Sequence, residues 1–512
     1  MIKRRQFLQL GSIGIASVPA SASISALSQR PEIQTGISSG DVSHNGAVIW
    51  GRTEKPSLMW VELSKDPSFK QSLRFAGTAA IKETDFNAKT YLRGLSPAQQ
   101  YFYRVQFESL DKPGLFGDIQ QGQFKTAHKD TGRIRFCWSG DTAGQGYGID
   151  SNRGGMHSYA EMLKREPDFL VHCGDLIYAD GPIPSEISLK DGSTWKNVET
   201  QGKSKVAEST QEFRENYYYN FLDPKFRQFH QQVASYQQWD DHEVVNNWYP
   251  GEQLLDDKRY TVKSASLLAE RARHALLECN PISLNAKDPR QIYRKVSHGP
   301  MLDIFFLDMR SYRGPNSLNR QEKASAETAF LGEEQLQWLE QSLAESKASW
   351  KIIASDMPLG LRVTEWQSEV AENAANGDGP ALGRELEVAH LLEFIAKQDI
   401  HNVHFITADV HYCASHYYNP NKAQFKNFKP FWEFVSGPLH AGSFGPGELD
   451  NTFGPELIFK GIPDDMPPNS PPSDNYQFFG EIEIDGFENT MTVKHFNRLG
   501  KELWRKTLKS EA

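Results

Sequence analysis

Six apolar, strand-like stretches of this chain run straight into an aspartate. They are Phe136–Asp141, Phe169–Asp175, Tyr236–Asp241, Phe305–Asp308, Ile352–Asp356 and Phe405–Asp409. Between them the apolar period changes to that of helices, over Met156–Arg165, Leu267–Cys279, Glu333–Ser346 and Leu382–Lys397. The strands themselves are expected at Ile134–Ser139, Phe169–Cys173, Met301–Leu307, Lys351–Ser355 and His401–Thr407. This alternation predicts a layered α/β domain, with β-sheets sandwiched by helices. In open α/β sheets, ligand sites gather at the carboxyl ends of strands. Carboxylates converging there repel one another strongly at low dielectric. A bound cation is the simplest partner that makes such a cluster tolerable.

The company each aspartate keeps separates ligands from turn residues. Gly140-Asp141 and Gly174-Asp175 repeat one strand–Gly–Asp ending, and glycine lets backbone pass close to an ion or a neighbouring loop. Asp409 and His411 are two residues apart, so both side chains lie on one side of an extended segment. Asp241-His242-Glu243 adds a carboxylate and an imidazole on adjacent residues of a turn, with Asn246 and Asn247 close behind as sources of amide oxygen. Asp308 and Asp356 lack such neighbours and read more simply as cap or turn residues. Carboxylates point to hard cations, and the His and Tyr nearby widen the choice to iron, manganese or zinc. Arg153, Arg310 and Arg313 are candidates for bidentate phosphate contact, each also readable as an ion-pair partner. Ser139 is not in a nucleophile elbow, and His440 is left without a role.

The chain before this region has a different character. From about Glu32 to Ala127 it reads as short strands separated by Pro, Gly, Asp and Ser. Leu95–Tyr101 has the form of a tyrosine corner, so a small fibronectin-III-like β-sandwich is expected at 32–127. Residues 1–26 carry Arg4-Arg5, a moderately apolar run and a small-residue cleavage pattern, which resembles a twin-arginine export signal. Export to the periplasm or medium through the twin-arginine machinery is therefore expected. Loops are expected at Ser185–Lys205 and Pro455–Pro472. No later apolar run is long enough to span a bilayer. With 56 basic and 65 acidic residues the net charge is −9, which disfavours a nucleic-acid-binding surface. Four cysteines without a CxxC pair exclude a disulfide framework and a zinc knuckle.

At this point a resemblance becomes specific. Gly174-Asp175-Leu-Ile-Tyr178 is similar to the second motif of metallophosphoesterases with a tyrosinate ligand. Trp239–Val244 with Asn246-Asn247-Trp248, Leu307–Arg313, and Asp409-Val-His411 resemble the signature of PhoD-type alkaline phosphatases. Glu433–Gly437 looks like that family's strand near the end of the metal domain. No single motif is specific, but these in this order are. The resemblance covers the chain from about residue 32, with the metallophosphoesterase domain at 133–505.

The resemblance implies hydrolysis of phosphate mono- and diesters with Fe(3+) and Ca(2+) at the site. It implies Asp175 as a bridging ligand, Tyr178 as a phenolate ligand, and Asp409 and His411 as ligands from an opposing strand. Asp241 and one of Asn246 and Asn247, with Asn247 chosen, reach the second cation or the phosphate. His242 ligates, or acts with Asp241 in catalysis by protonating the leaving alkoxide. Many relatives use a cysteine in the first motif. Here Asp141 is expected in that place, with Cys137 a core residue, which leaves Mn(2+) or Mg(2+) open as well. Purple acid phosphatases share the Gly-Asp-x-x-Tyr motif but expect Asn-His and His-x-His where this chain has Asp241-His242 and Asp409-x-His411. Competing readings are a phospholipase-D-like diesterase on lipid headgroups and a non-catalytic exported protein that keeps a metal for stability.

Overall fold

A computed structural model describes residues 29–365 and 368–511. The export-signal expectation, residues 1–26, lies outside the described residues. The fold is mixed α/β, with two large sheets. One has nine strands and the other seven. In the first, Arg133–Ser139, Phe169–Cys173 and Ala234–Gln238 run parallel. In the second, Leu302–Phe306, Trp350–Ala354, Val403–Thr407 and Phe431–Val435 run parallel. These central strands are buried along nearly their whole length, as expected when both faces are covered.

One apolar core joins the two sheets. Phe136, Val171 and Tyr236 of the first pack with Ile304, Ile352 and Ile406 of the second. The opposite face of the first sheet, with Cys137 and Leu170, packs against the helices Thr210–Asn220, Pro224–Gln232 and Ala265–Cys279. That of the second, with Phe305, Ile353 and Phe405, packs against Glu333–Glu345 and Glu385–Lys397. Local signals fix these helices. Ser209 caps Thr210–Asn220 in a capping box with Glu212, and Asp223 caps Pro224–Gln232 with proline in its first turn.

The N-terminal strands do not stand apart. Tyr101 behaves as the tyrosine-corner reading expects, its hydroxyl accepting from the Ser96 N–H at 2.9 Å. Four strands between Ser57 and Lys125 form their own sheet. Ile37–Gly40, Gly46–Arg52 and Asn87–Arg93 instead continue the nine-stranded sheet, joined to it where Gly40 pairs with Ser235. Two loop expectations also change. Pro455–Lys460 is an edge strand of the second sheet, and the Ser185–Lys205 stretch holds a hairpin of Glu186–Ser188 with Thr194–Lys196. Their polar, Pro- and Gly-rich composition masked short strands that tertiary pairing supports.

The parallel strands of both sheets deliver their carboxyl ends to one place. Gly140 allows this contact, since a Cβ there would meet the Ala408 Cβ at 2.7 Å and the Gly174 carbonyl at 3.0 Å. Backbone hydrogen bonds then stitch the ends together: Thr142 to Asp175 at 2.8 Å, and His440 to Asp141 at 3.0 Å.

Candidate metal centre

Three overlapping groups of ligand-type side chains occupy this junction. Asp141, Asp175 and His411 form one, Asp175, Asp241 and His242 a second, and Asp240, Asp241 and Asp409 a third. Within each group the donor atoms lie within 4.8 Å of one another. Asp175 belongs to two groups, and so does Asp241. Tyr178 completes the first: its hydroxyl donates to His411 Nε2 at 2.8 Å and lies 3.5 Å from Asp141 Oδ1. His411 Nδ1 donates to the Gly442 carbonyl, which turns the Nε2 lone pair toward Tyr178 and Asp141.

Backbone conformation marks the same residues. Asp141, Asp175, Asn247, Asp409 and His411 all have φ between 53° and 65°, the left-handed region that non-glycine residues seldom adopt. Such conformations cost about 1–3 kcal/mol each and cluster at functional sites. Asp141, Asp175 and Asp409 each fall two residues beyond a strand, after Arg133–Ser139, Phe169–Cys173 and Val403–Thr407, where the chain turns and leaves the carboxylate at the junction.

The electrostatics are those of a cation site. Burial and the neighbouring Asp241 and Asp240 push the Asp175 carboxyl well above the usual carboxylate range. Burial together with Asp240 and Glu372 does the same to Asp409. Burial, Asp175 and Asp141 raise the Tyr178 phenol well above its ordinary value. Asp241 goes the other way: burial opposes ionisation, but His242, Arg310 and the Asn247 N–H at 2.6 Å outweigh it. Burial would lower His242, yet Asp180 and Asp241 overcome it and hold the imidazole up at about 10.

The donors present fit hard metal ions. They are carboxylate oxygens, a phenol and two imidazoles, and the deeply buried Asp141 Oδ2 has no hydrogen-bond partner. Gly437 makes room for that oxygen, since a Cβ there would lie 2.3 Å from it.

A cleft of about 660 Å³ opens onto the cluster, lined by Asp175, Asp241, His242, Asp409 and His411. Asn246 and Asn247 both line it. The arginines behave differently. Arg310 is fully buried, donating to Asp240 Oδ1 at 2.6 Å and paired with Glu372. It also lies 3.8 Å from Asp241 and 3.7 Å from Asp356. Its guanidinium balances charge behind the carboxylates and does not line the cleft, so phosphate contact, which needs an open guanidinium, does not fit its position. Arg313 is buried against Glu372. Arg153 is held by Ser193 Oγ at 2.6 Å and Asp150 at 3.5 Å, away from the residues that line the cleft. Spacing alone does not separate an open arginine from a caged one.

The remaining candidates fall into structural places. Asp308 caps a turn, accepting from Ser311 N at 3.0 Å and from Trp239 Nε1 at 2.9 Å. Asp356 Oδ1 accepts from Met357 N at 2.7 Å. Cys137 packs in the helix-side core, and Ser139 Oγ donates to the Phe478 carbonyl at 2.9 Å. His440 is buried, with Nε2 on the Gly148 carbonyl at 2.9 Å.

Two residues have supporting roles that the motifs alone do not show. Glu243 accepts backbone N–H groups from Asp240 at 2.8 Å, Asp175 at 3.0 Å, Leu176 at 2.7 Å and Ile177 at 3.4 Å. One buried carboxylate thus ties the Gly-Asp-x-x-Tyr loop to the Asp-Asp-His turn. Asp180 accepts from His242 Nδ1 at 2.8 Å and from Asn246 N at 2.8 Å. Glu243 lies inside the Trp239–Val244 motif and Asp180 two residues after Tyr178, which was the available signal.

Comparison with known proteins agrees with this geometry. The family model described as PhoD-like phosphatase matches residues 136–495. The model of the PhoD-like phosphatase N-terminal domain matches residues 18–128. The chain is 25% identical over 440 residues to alkaline phosphatase D of Bacillus subtilis (strain 168), covering 81% of this chain and 71% of that protein. A solved structure of PhoD aligns with TM-score 0.68 at 19% identity, covering 94% of this chain and 93% of that one. A purple acid phosphatase from yellow lupin (Lupinus luteus) seeds aligns with TM-score 0.59 at 12% identity, over 94% and 74% of the two chains. With its motif-bearing strand ends gathered at one acidic cleft, and with a family model spanning most of its length, this chain belongs to the PhoD-like phosphatase family and is a phosphoric ester hydrolase.

Proposed function

We propose that the protein is an exported, metal-dependent hydrolase of phosphate mono- and diesters. The observation that carries this reading is the sharing of Asp175 between two adjacent donor groups, the arrangement a bridging carboxylate needs. In this reading Asp141, Asp175, Tyr178 and His411 would hold one ion, and Asp175, Asp241, Asp409 and Asn247 would hold its neighbours. Phenolate and carboxylate donors suit Fe(3+) at the first place and Ca(2+) at the others, with Mn(2+) or Mg(2+) as substitutes. When bound, such ions neutralise charge on the phosphoryl oxygens and lower the pKa of a coordinated water.

The chain's own residues orient and protonate. Asp180 holds His242 Nδ1, leaving the ring's other nitrogen for the leaving-group oxygen, to which it gives a proton. Asp241 supports the imidazolium electrostatically. Residues 133–505 form the layered metallophosphoesterase domain in this reading, 32–127 the fibronectin-like domain, and 1–26 a twin-arginine-type leader removed on export. Among the described residues no helix is long and apolar enough to cross a membrane.

Turnover of a chromogenic phosphate monoester and diester, before and after chelation, tests the reading. Activity lost on chelation and restored by metal supports it. No turnover with any metal sinks it.

A further inference from the structure

Besides its acidic end, the cleft has a wall of different chemistry. Leu361, Val363, Val410, Tyr412 and Phe444 line it, and Arg362 stands among them. Of the described residues lining this cleft, Arg362 is the one arginine or lysine. Three other arginines near the site are already committed. Arg310 and Arg313 are caged by Glu372, and Arg384 is fully buried, donating to the carbonyls of Ala371, Glu372, Asn373, Gly314 and Pro315.

Arg362 is held in place but loosely paired. Its backbone pairs with Glu448 in a short antiparallel ladder, and its neighbour Leu361 is packed into a small core with Tyr412 and Val435. Its guanidinium lies 3.9 Å from the Glu448 carboxylate, whose side chain is 85% exposed. An exposed ion pair at that separation is weak and readily exchanged for a better partner. A guanidinium on the cleft wall beside apolar side chains, with only a weak and exposed competitor, can exchange that partner for an anionic group of a bound ligand.

We propose that the substrate is a phosphoric ester whose organic portion carries a second anionic group, and that Arg362 binds that group while the apolar wall covers the carbon skeleton between. This rests on the phosphoesterase reading above for the placement of the scissile phosphate at the acidic end. The second anion is a carboxylate or another phosphate, and either makes the same charge-assisted bond.

The test is calorimetric binding of three non-hydrolysable probes to the metal-loaded protein: an alkylphosphonate, its ω-carboxy derivative and its ω-phosphono derivative. The wild type is expected to bind at least one of the doubly anionic probes about ten- to a hundredfold more tightly than the parent, the range of one charge-assisted hydrogen bond. Which derivative gains distinguishes carboxylate from phosphate. Arg362→Gln is expected to abolish the gain and leave the parent probe within about threefold. Arg362→Lys is expected to retain part of it, and Glu448→Gln to keep or increase it. Equal affinities for all three probes in the wild type overturn the proposal. So does an equal loss on all probes in Arg362→Gln, which would place Arg362 at the scissile phosphate or in the scaffold. A preference for the double anion without turnover of any ester overturns the hydrolase reading instead, so the two failures are distinct.

Discussion

The Tyr178 hydroxyl lies 2.8 Å from His411 Nε2, although 233 positions separate the two residues. The Gly442 carbonyl accepts the hydrogen bond from His411 Nδ1, so the phenol oxygen and the imidazole Nε2 meet beside Asp141. Two donors brought to one point from opposite sheets are placed as a ligand pair. If that ion is ferric, the phenolate gives a visible charge-transfer band. Tyr178→Phe is expected to lose the band and most of the bound iron while keeping the fold. A colourless, iron-free wild type with full activity would remove iron from the assignment.

The carboxylate of Glu243 joins two loops through four backbone N–H groups. Glu243→Gln replaces a charged acceptor by an amide with a single acceptor oxygen. Each weakened bond to the charged group is worth about 1.5–3 kcal/mol at most. The melting temperature of the variant should fall by several degrees, and half-maximal activity should require more added metal. Unchanged values of both would mean that the loops hold their register without it.

Arg310 separates two roles cleanly. As a buried counter-ion to Asp240 and Glu372, its loss in Arg310→Met leaves uncompensated buried charge and costs about 3–5 kcal/mol. Denaturant titration of the metal-free protein should show that loss. A variant of native stability with selectively weakened phosphate binding would restore the substrate-contact role.

His242 has its proton fixed by Asp180. A general acid matters most when the leaving group is a poor one. His242→Ala should lose about a hundredfold or more on alkyl esters and far less on nitrophenyl esters, with Asp180→Asn in between. Equal losses across leaving groups, together with reduced metal content, would identify His242 as a ligand instead.

Glu385 offers a pH test at a residue outside the three ligand groups. It accepts from Asn376 Nδ2 at 2.7 Å and Leu382 N at 3.1 Å, beside Asp450. Burial and Asp450 raise its carboxyl to about 9 from 4.5. The folded state therefore holds a proton that the unfolded state has released. That contribution to stability is complete below about pH 4.5 and is lost as pH rises through about 9. Glu385→Gln keeps the neutral form at every pH. Its melting temperature should exceed that of the wild type by a margin that grows from pH 5 to pH 9. A margin independent of pH would locate the effect elsewhere.

Much of the scaffold is legible because its signals are local. Phe169–Cys173 is a strand with the boundaries its apolar run predicts, and the expected helix at Glu333–Ser346 ends one residue short, at Glu345. The Gly-Asp endings at Asp141 and Asp175 and the Asp409-x-His411 pair stand out for the same reason, since an apolar strand followed by a carboxylate is visible without knowing its neighbours. The short strands at Pro455–Lys460 and Glu186–Ser188 are not legible, because pairing partners rather than composition hold them.

Sequence by itself determined which residue types stand at the strand ends, and so the chemistry on offer: oxygen donors, imidazoles and a phenol. Tertiary structure decided which of them share a space. It put Asp175 in two donor groups, closed a carboxylate cage around Arg310, left Arg362 open on the cleft wall, and gave Glu243 its four backbone partners. The physical reason is that type and spacing are properties of one segment. Burial, charge pairing and hydrogen-bond partnership arise only when segments far apart in the chain meet.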